Sequence, residues 1–364
     1  MKSLHLGTYW GIPVKVHWSF YLLFLFIIGV GLMNGLDAIS LLYFGLFIIL
    51  MFTCVVLHEY GHALTAKRFG VDTVDIIISP IGGIARLKRL PEEPVQELKI
   101  AIAGPLVNLT IAVLLFLLAL VTIDVDSFVP EEDSLKFLAN PAGFLVSLIW
   151  INVVLFVFNL VPAFPMDGGR ILRAILSMNF GIEKGTKYAS IVGRILAIIF
   201  VVFGLVYQHI MLVLIGGFVF LMARAEQRQV TIKSRLNNYA AKDIMKTTFN
   251  RLHLSTSIRE LYEHYIRGGE RNYVVVDSLG NLSGVISEEA IKEAINSGDL
   301  DQPVSMIMKS QLYVVPQDMK LYRLYEEMNV RGEAIAIIKE GDQVLGIIDR
   351  QMLLNFVQLK VGNQ

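Results

Sequence analysis

Val55-Val56-Leu57-His58-Glu59-Tyr60-Gly61-His62-Ala63-Leu64 sets two imidazoles and a carboxylate inside an apolar run that extends from Ser40 to Ala66. A run of that length reads as a membrane-spanning helix. Positions four apart lie on one helix face, so His58 and His62 can reach one zinc ion, with Glu59 beside them as general base. Ionisable groups are costly at membrane depth and mark function there. Metal-assisted hydrolysis within a membrane is the chemistry this stretch implies.

The rest of the chain fits a membrane setting. Of 364 residues 54% are hydrophobic, and the mean hydropathy is +0.58, too apolar for one soluble domain. The formal net charge is zero, so no basic excess points to nucleic acid as a partner. Long apolar runs end near Ala225, after which charged and apolar residues alternate. The expected organisation is a membrane domain over 1–225, a linker over 226–240 and a soluble domain over 241–364. Cys54 is the sole cysteine, so no disulfide forms within the chain. Nothing in Met1 to Val16 reads as a cleavable signal, so the first span is expected to be retained.

Six apolar segments are expected as spans: Val16–Met33, Ser40–Ala66, Glu97–Ile123, Ala142–Leu160, Val192–Val206 and His209–Ala223. Lys and Arg crowd one set of connecting segments, among them Lys67, Arg68, Arg86, Lys88, Arg170, Arg173, Arg224 and Lys233. The opposite set carries Lys136 amid Asp124, Asp126, Glu131, Glu132 and Asp133. That asymmetry puts both termini and the tail in the cytoplasm. Between the second and third spans, Val74–Ile78 and Ile84–Leu87 read as short strands. They would form a small sheet at the membrane surface, with an edge open to an extended peptide.

A catalytic zinc site needs a third protein ligand and an open position. Asp167 is the best candidate, in Asn159-Leu160-Val161-Pro162-Ala163-Phe164-Pro165-Met166-Asp167-Gly168-Gly169-Arg170. Pro162 and Pro165 break the fourth span, and the glycines allow a tight turn. Broken backbone at membrane depth is tolerated where it lines a cavity. Cys54 shares the face of His58, as a possible ligand or as an inert buried thiol. Gly104-Pro105 reads as a kink, with Asn108 as an interhelical hydrogen-bond donor.

His58-Glu59-Tyr60-Gly61-His62, Gly104-Pro105-Leu106-Val107-Asn108 and the later Asn159…Pro162…Pro165…Asp167-Gly168 together resemble the site-2 protease family of intramembrane metalloproteases, over about residues 1–225. The resemblance implies one Zn2+ per chain on His58, His62 and Asp167, water activation by Glu59, and a substrate-backbone or oxyanion role for Asn159. Asn159 reads equally as a helix cap. The implied partners are the lipid bilayer and a transmembrane protein substrate.

Residues 241–357 repeat. Asp243-Ile244-Met245-Lys246 is echoed by Met306-Ile307-Met308-Lys309, and Gly284-Val285-Ile286-Ser287 by Gly346-Ile347-Ile348-Asp349. This resembles a tandem pair of cystathionine-beta-synthase (CBS) domains, which implies a homodimer and an adenine nucleotide in the cleft between repeats. The corresponding nucleotide candidates are Ser287 and Asp349. Ala290 and Met352 stand where that family's motif has Asp, and Asp349 would repel phosphate. The whole is thus expected to be a polytopic α-helical membrane protein with a small membrane-surface β-sheet, plus a soluble α/β tandem CBS domain. Two other readings are a CBS-regulated transporter and a non-catalytic zinc-binding scaffold. Glu59, which a structural zinc site does not need, speaks against the scaffold.

Overall fold

The computed structural model describes residues 3–33, 35, 37–80, 82–88, 93–123, 137, 138, 140–267, 270–341 and 343–361. The acidic segment 124–136, expected on the outer side, lies outside them. The chain divides into two compact units, Met1–Arg228 and Gln229–Gln364.

The first unit begins with a hairpin, β1 (Ser3–Tyr9) and β2 (Ile12–His17), followed by α1 (Ser19–Met33) and α2 (Ala38–Arg68). Then come β3 (Thr73–Ser79), β4 (Gly82–Leu87), α3 (Pro94–Thr122), α4 (Pro141–Asn159), α5 (Asp167–Phe180), α6 (Ile182–Val206) and α7 (Ile210–Leu236). Among the described residues five helices, α2, α3, α4, α6 and α7, are long and apolar enough to cross a membrane. The first expected span differs. Val16 and His17 belong to β2, and α1 has 15 residues. At 1.5 Å per residue its described residues rise about 22 Å. The last two expected spans are longer than their apolar cores. The flanks of α6 and α7 carry Glu183, Lys184, Lys187, Glu226, Gln227, Arg228, Lys233 and Arg235, good helix formers that apolarity does not detect. The expected linker 226–240 is accordingly helical as far as Leu236.

Local chemistry sets the helix ends. Asp37 caps α2, its carboxylate accepting from Ser40 N at 3.0 Å, and Lys67 and Arg68 lie at the negative end of the helix dipole. Pro94 and Pro141 occupy first turns, where a missing N–H is harmless.

The strands of this unit form one sheet in the order β1-β2-β3-β4. The expected pair, β3 and β4, is joined by a hairpin that the sequence reading missed. β2 runs parallel to β3, with Val14 opposite Ile76. Ile12, Val14, Val16, Ile76 and Ile78 bury one face of the sheet against Phe52, Tyr60 and Ala63 of α2. Tyr60 donates to the carbonyls of Tyr9 and Ile12, which docks the hairpin turn on the helix.

Asp75 is the buried charge of this sheet. Arg86 grips it with two donors at 2.5 and 2.6 Å, and Lys15 reaches it at 2.8 Å. The Arg86 hydrogen bonds, helped by Lys15, hold its carboxyl down to about 2 from 3.8. Because the folded value is depressed, this stabilisation is complete above the ordinary carboxylate range and is lost as pH falls through about 2. Melting curves in detergent should therefore show no Asp75 contribution to pH dependence near neutrality and a falling limb between about pH 4 and pH 2. In Asp75→Asn the melting temperature should be lower at pH 7 and the acid limb smaller. An unchanged limb would show that Asp75 contributes nothing to it.

The second unit holds β5 (Arg251–His253), α8 (Ile258–Ile266), β6 (Tyr273–Val276), β7 (Leu282–Ile286) and α9 (Glu288–Ser297). The repeat gives β8 (Val314–Pro316), α10 (Leu321–Arg331), β9 (Ile335–Glu340), β10 (Gln343–Asp349) and α11 (Arg350–Val361). Each half is a three-stranded sheet, β5-β6-β7 and β10-β9-β8, with the same one parallel and one antiparallel pairing. Val274, Val285, Ile335, Ile337 and Ile347 form a core shared by the two halves. The fold of the whole chain is thus a polytopic α-helical domain with a small sheet, followed by a twice-repeated α/β domain.

Candidate metal centre

α2, α3 and α5 build the site. His58 and His62 are one turn apart on α2, and Asp167 is the first residue of α5. Their ligand atoms lie within 4.8 Å of one another, and all three side chains are buried. His58 Nε2, His62 Nε2 and Asp167 Oδ2 form a near-equilateral triangle of 3.1 Å edges. Two imidazole nitrogens and a carboxylate oxygen converging in this way are a donor set for a divalent cation of the zinc type. Gly104 of α3 makes the space. A side-chain carbon there would lie 2.7 Å from His58 Nε2 and closer still to that of His62.

Asp167 reaches this point because the chain folds back sharply after Asn159. Gly168 packs so tightly on the carbonyls of Leu160 and Val161 that no side chain fits. The carboxylate stands at the positive end of the α5 dipole, with Arg170 Nη1 3.8 Å away. Arg173, also on α5, is buried between Glu97 of α3 and Glu226 of α7, and stacks 5.2 Å from the Phe164 ring centroid. This clamp holds α5 without using the three clustered side chains.

Glu59 is not one of the three clustered side chains and reaches the sheet. Its Oε2 accepts from Ala85 N of β4 at 2.9 Å. β4 is the end strand of its sheet, and Glu59 takes this N–H of it.

Asn159 is half-buried at the last turn of α4 and is not one of the clustered ligands. Cys54 is buried and is likewise not in the cluster. The reading of Asn108 as an interhelical donor misses what its oxygen does. Asn108 Oδ1 lies 2.5 Å from His58 Nδ1, while its Nδ2 donates to Asn152 of α4 at 3.0 Å. On the other imidazole, His62 Nδ1 lies 2.7 Å from the Ile100 carbonyl. Asn152 carried no signal beyond being a polar residue in an apolar span.

In the second unit, Ser287 and Asp349 both cap helices. Ser287 Oγ accepts from Ala290 N at 3.2 Å, and Asp349 Oδ1 from Met352 N at 2.8 Å. Asp349 also lines a cavity of about 480 Å³ with Lys246, Glu270, Arg271 and Phe356. Lys246 is paired with Glu270 there.

A family model described as peptidase family M50 matches residues 46–203, and one described as CBS domain matches 241–297 and 304–359. The zinc metalloprotease MJ0392 of Methanocaldococcus jannaschii is 35% identical over 361 residues, covering 98% of this chain and 96% of the relative. Stage IV sporulation protein FB of Bacillus subtilis is 26% identical over 134 residues, 36% of this chain and 41% of the relative. Among solved structures, a site-2 protease from Methanocaldococcus jannaschii shows 39% identity and a TM-score of 0.45, covering 62% of this chain and 95% of that one.

Proposed function

Because this chain belongs to peptidase family M50, the site-2 proteases, we propose that it is an endopeptidase that cuts transmembrane or membrane-adjacent segments of other proteins. It is an integral membrane zinc metalloprotease. The readings as a transporter or as a non-catalytic scaffold lose their ground with that membership. The observation that carries the proposal is the buried His58–His62–Asp167 triangle, whose two histidines stand on a helix of membrane length.

In this reading His58, His62 and Asp167 hold the ion. Bound there, zinc supplies a Lewis acid for the scissile carbonyl and makes water a nucleophile near neutral pH. Glu59 takes the proton of the attacking water and passes it to the leaving amine. Asn159, on the turn that leads to Asp167, is assigned to the substrate backbone or the oxyanion. The buried setting excludes bulk water and strengthens these polar interactions. A helical substrate has its backbone satisfied internally, so it must unwind before cleavage. The position of β4 at the end of its sheet supports pairing of the unwound segment as an added strand. The charge asymmetry supports cytoplasmic termini.

Reconstitution in liposomes with a single-span substrate tests the proposal. New termini should map within or beside the apolar segment, and a chelator should stop their formation. Cleavage confined to soluble loops remote from the bilayer would refute the substrate class.

The CBS pair is assigned a regulatory and dimerising role. Adenine nucleotide binding is expected to be weak or absent. Ser287 and Asp349 spend their oxygens on their own helix N-termini, and Asp349 opposes phosphate. Residues 229–364 contain their own cores, which include Leu236, Leu324 and Ile348 in one and Ile258, Tyr273 and Ile286 in another. Calorimetry on that fragment should give no micromolar ATP or AMP affinity. A micromolar constant would overturn the expectation.

A further inference from the structure

A chain of buried amides leads from the metal centre into α4. Asn108 and Asn152 are both fully buried. Asn152 Nδ2 lies 2.9 Å from the Leu148 carbonyl and 3.4 Å from Cys54 Sγ. Its Oδ1 receives Asn108 Nδ2 at 3.0 Å, and Asn108 Oδ1 meets His58 Nδ1 at 2.5 Å.

The polarity of this chain follows from one end. A backbone carbonyl can only accept. The side of Asn152 that faces Leu148 O must therefore be its NH2, which leaves Oδ1 for Asn108. Asn108 must then donate through Nδ2, and its own Oδ1 is turned to the imidazole. His58 must donate from Nδ1, so its Nε2 bears a lone pair toward His62 and Asp167. His62 reaches the same tautomer in one step, because its Nδ1 faces the Ile100 carbonyl directly.

We propose that Asn152 is a positioning residue that selects the metal-binding tautomer of His58, acting through Asn108. The inference rests on the reading of His58 as a zinc ligand. Asn108 alone could not make the selection. A flipped carboxamide has nearly the same shape, and only its second partner decides which end faces the ring. Flipping it here would set NH2 against the Nδ1–H of His58 and oxygen against oxygen at Asn152. Both mismatches would leave buried polar groups unpaired, which disfavours the flipped amide. Cys54 has its place in the same chain, as a weak acceptor for Asn152 one turn before His58.

Zinc affinity of the full-length protein in detergent, measured by chelator competition, tests this. Asn152→Leu should weaken binding about 10–100-fold, the usual effect of losing a group that orients a histidine ligand. The double variant Asn108→Asp/Asn152→Leu should recover most of that loss, because a carboxylate accepts from His58 Nδ1 with either oxygen. A packing role for Asn152 would not be rescued by a buried charge. Unchanged affinity in Asn152→Leu, or an equal loss in the double variant, would overturn the inference. Histidine nitrogen NMR of the zinc-loaded wild-type protein gives an answer even where a variant does not fold: Nδ1 of His58 should carry the proton, and the reverse pattern would refute the selection. His58→Ala run alongside separates the two levels. Retained zinc there refutes the ligand reading, whereas lost zinc there with wild-type affinity in Asn152→Leu refutes only the role of Asn152.

Discussion

Purified Glu59→Gln protein is expected to keep its zinc and to lose peptide hydrolysis by about 10²–10⁴-fold in kcat, the range for a positioned general base. Glutamine keeps the length and the acceptor oxygen of glutamate, so the contact with Ala85 N can persist and the local fold with it. What it cannot do is take a proton from water. The His58–His62–Asp167 triangle does not include Glu59, so metal content should be unaffected. The check pairs elemental analysis with cleavage of a substrate peptide. Near-normal turnover at full zinc occupancy would remove Glu59 from the mechanism.

Asp167→Ala is expected to lose zinc and activity together. It removes the carboxylate of the triangle and leaves two imidazoles. The loss of affinity should be at least the roughly 100-fold that an outer hydrogen-bond partner can control. The fold should survive the change. α5 remains clamped by Arg173 between Glu97 and Glu226, and by the close packing of Gly168 on the 160–161 backbone. Full zinc occupancy in a folded Asp167→Ala protein would refute the assignment and direct attention to another oxygen donor.

These two residues also mark the boundary of what a linear reading reaches. His58, Glu59 and His62 are legible because helical period alone puts positions 58 and 62 on one face. Five membrane-length helices and the CBS repeat are legible for the same kind of reason, since apolar length and self-similarity are local or periodic properties. The first span begins at Ser19 rather than Val16, because Val16 and His17 pair in the sheet as the end of β2. The helical flanks of α6 and α7 were missed because polar helix formers leave no apolar signal.

The sequence by itself determined a membrane domain, a histidine pair on one helix face with its neighbouring glutamate, and a tandem soluble repeat. It nominated Asp167 through the broken backbone around it. Only the tertiary structure decided that Asp167 Oδ2 meets both imidazoles, 105 and 109 positions away along the chain. It alone paired β2 with β3, set Glu59 against Ala85, and ran two asparagines from Leu148 O to His58. The physical reason is common to all of these. A hydrogen bond or a ligand contact depends on the position and direction of single atoms, and atoms on different helices acquire both only when the helices pack. No periodicity along one segment encodes which carbonyl, or which end of an amide, another segment will present.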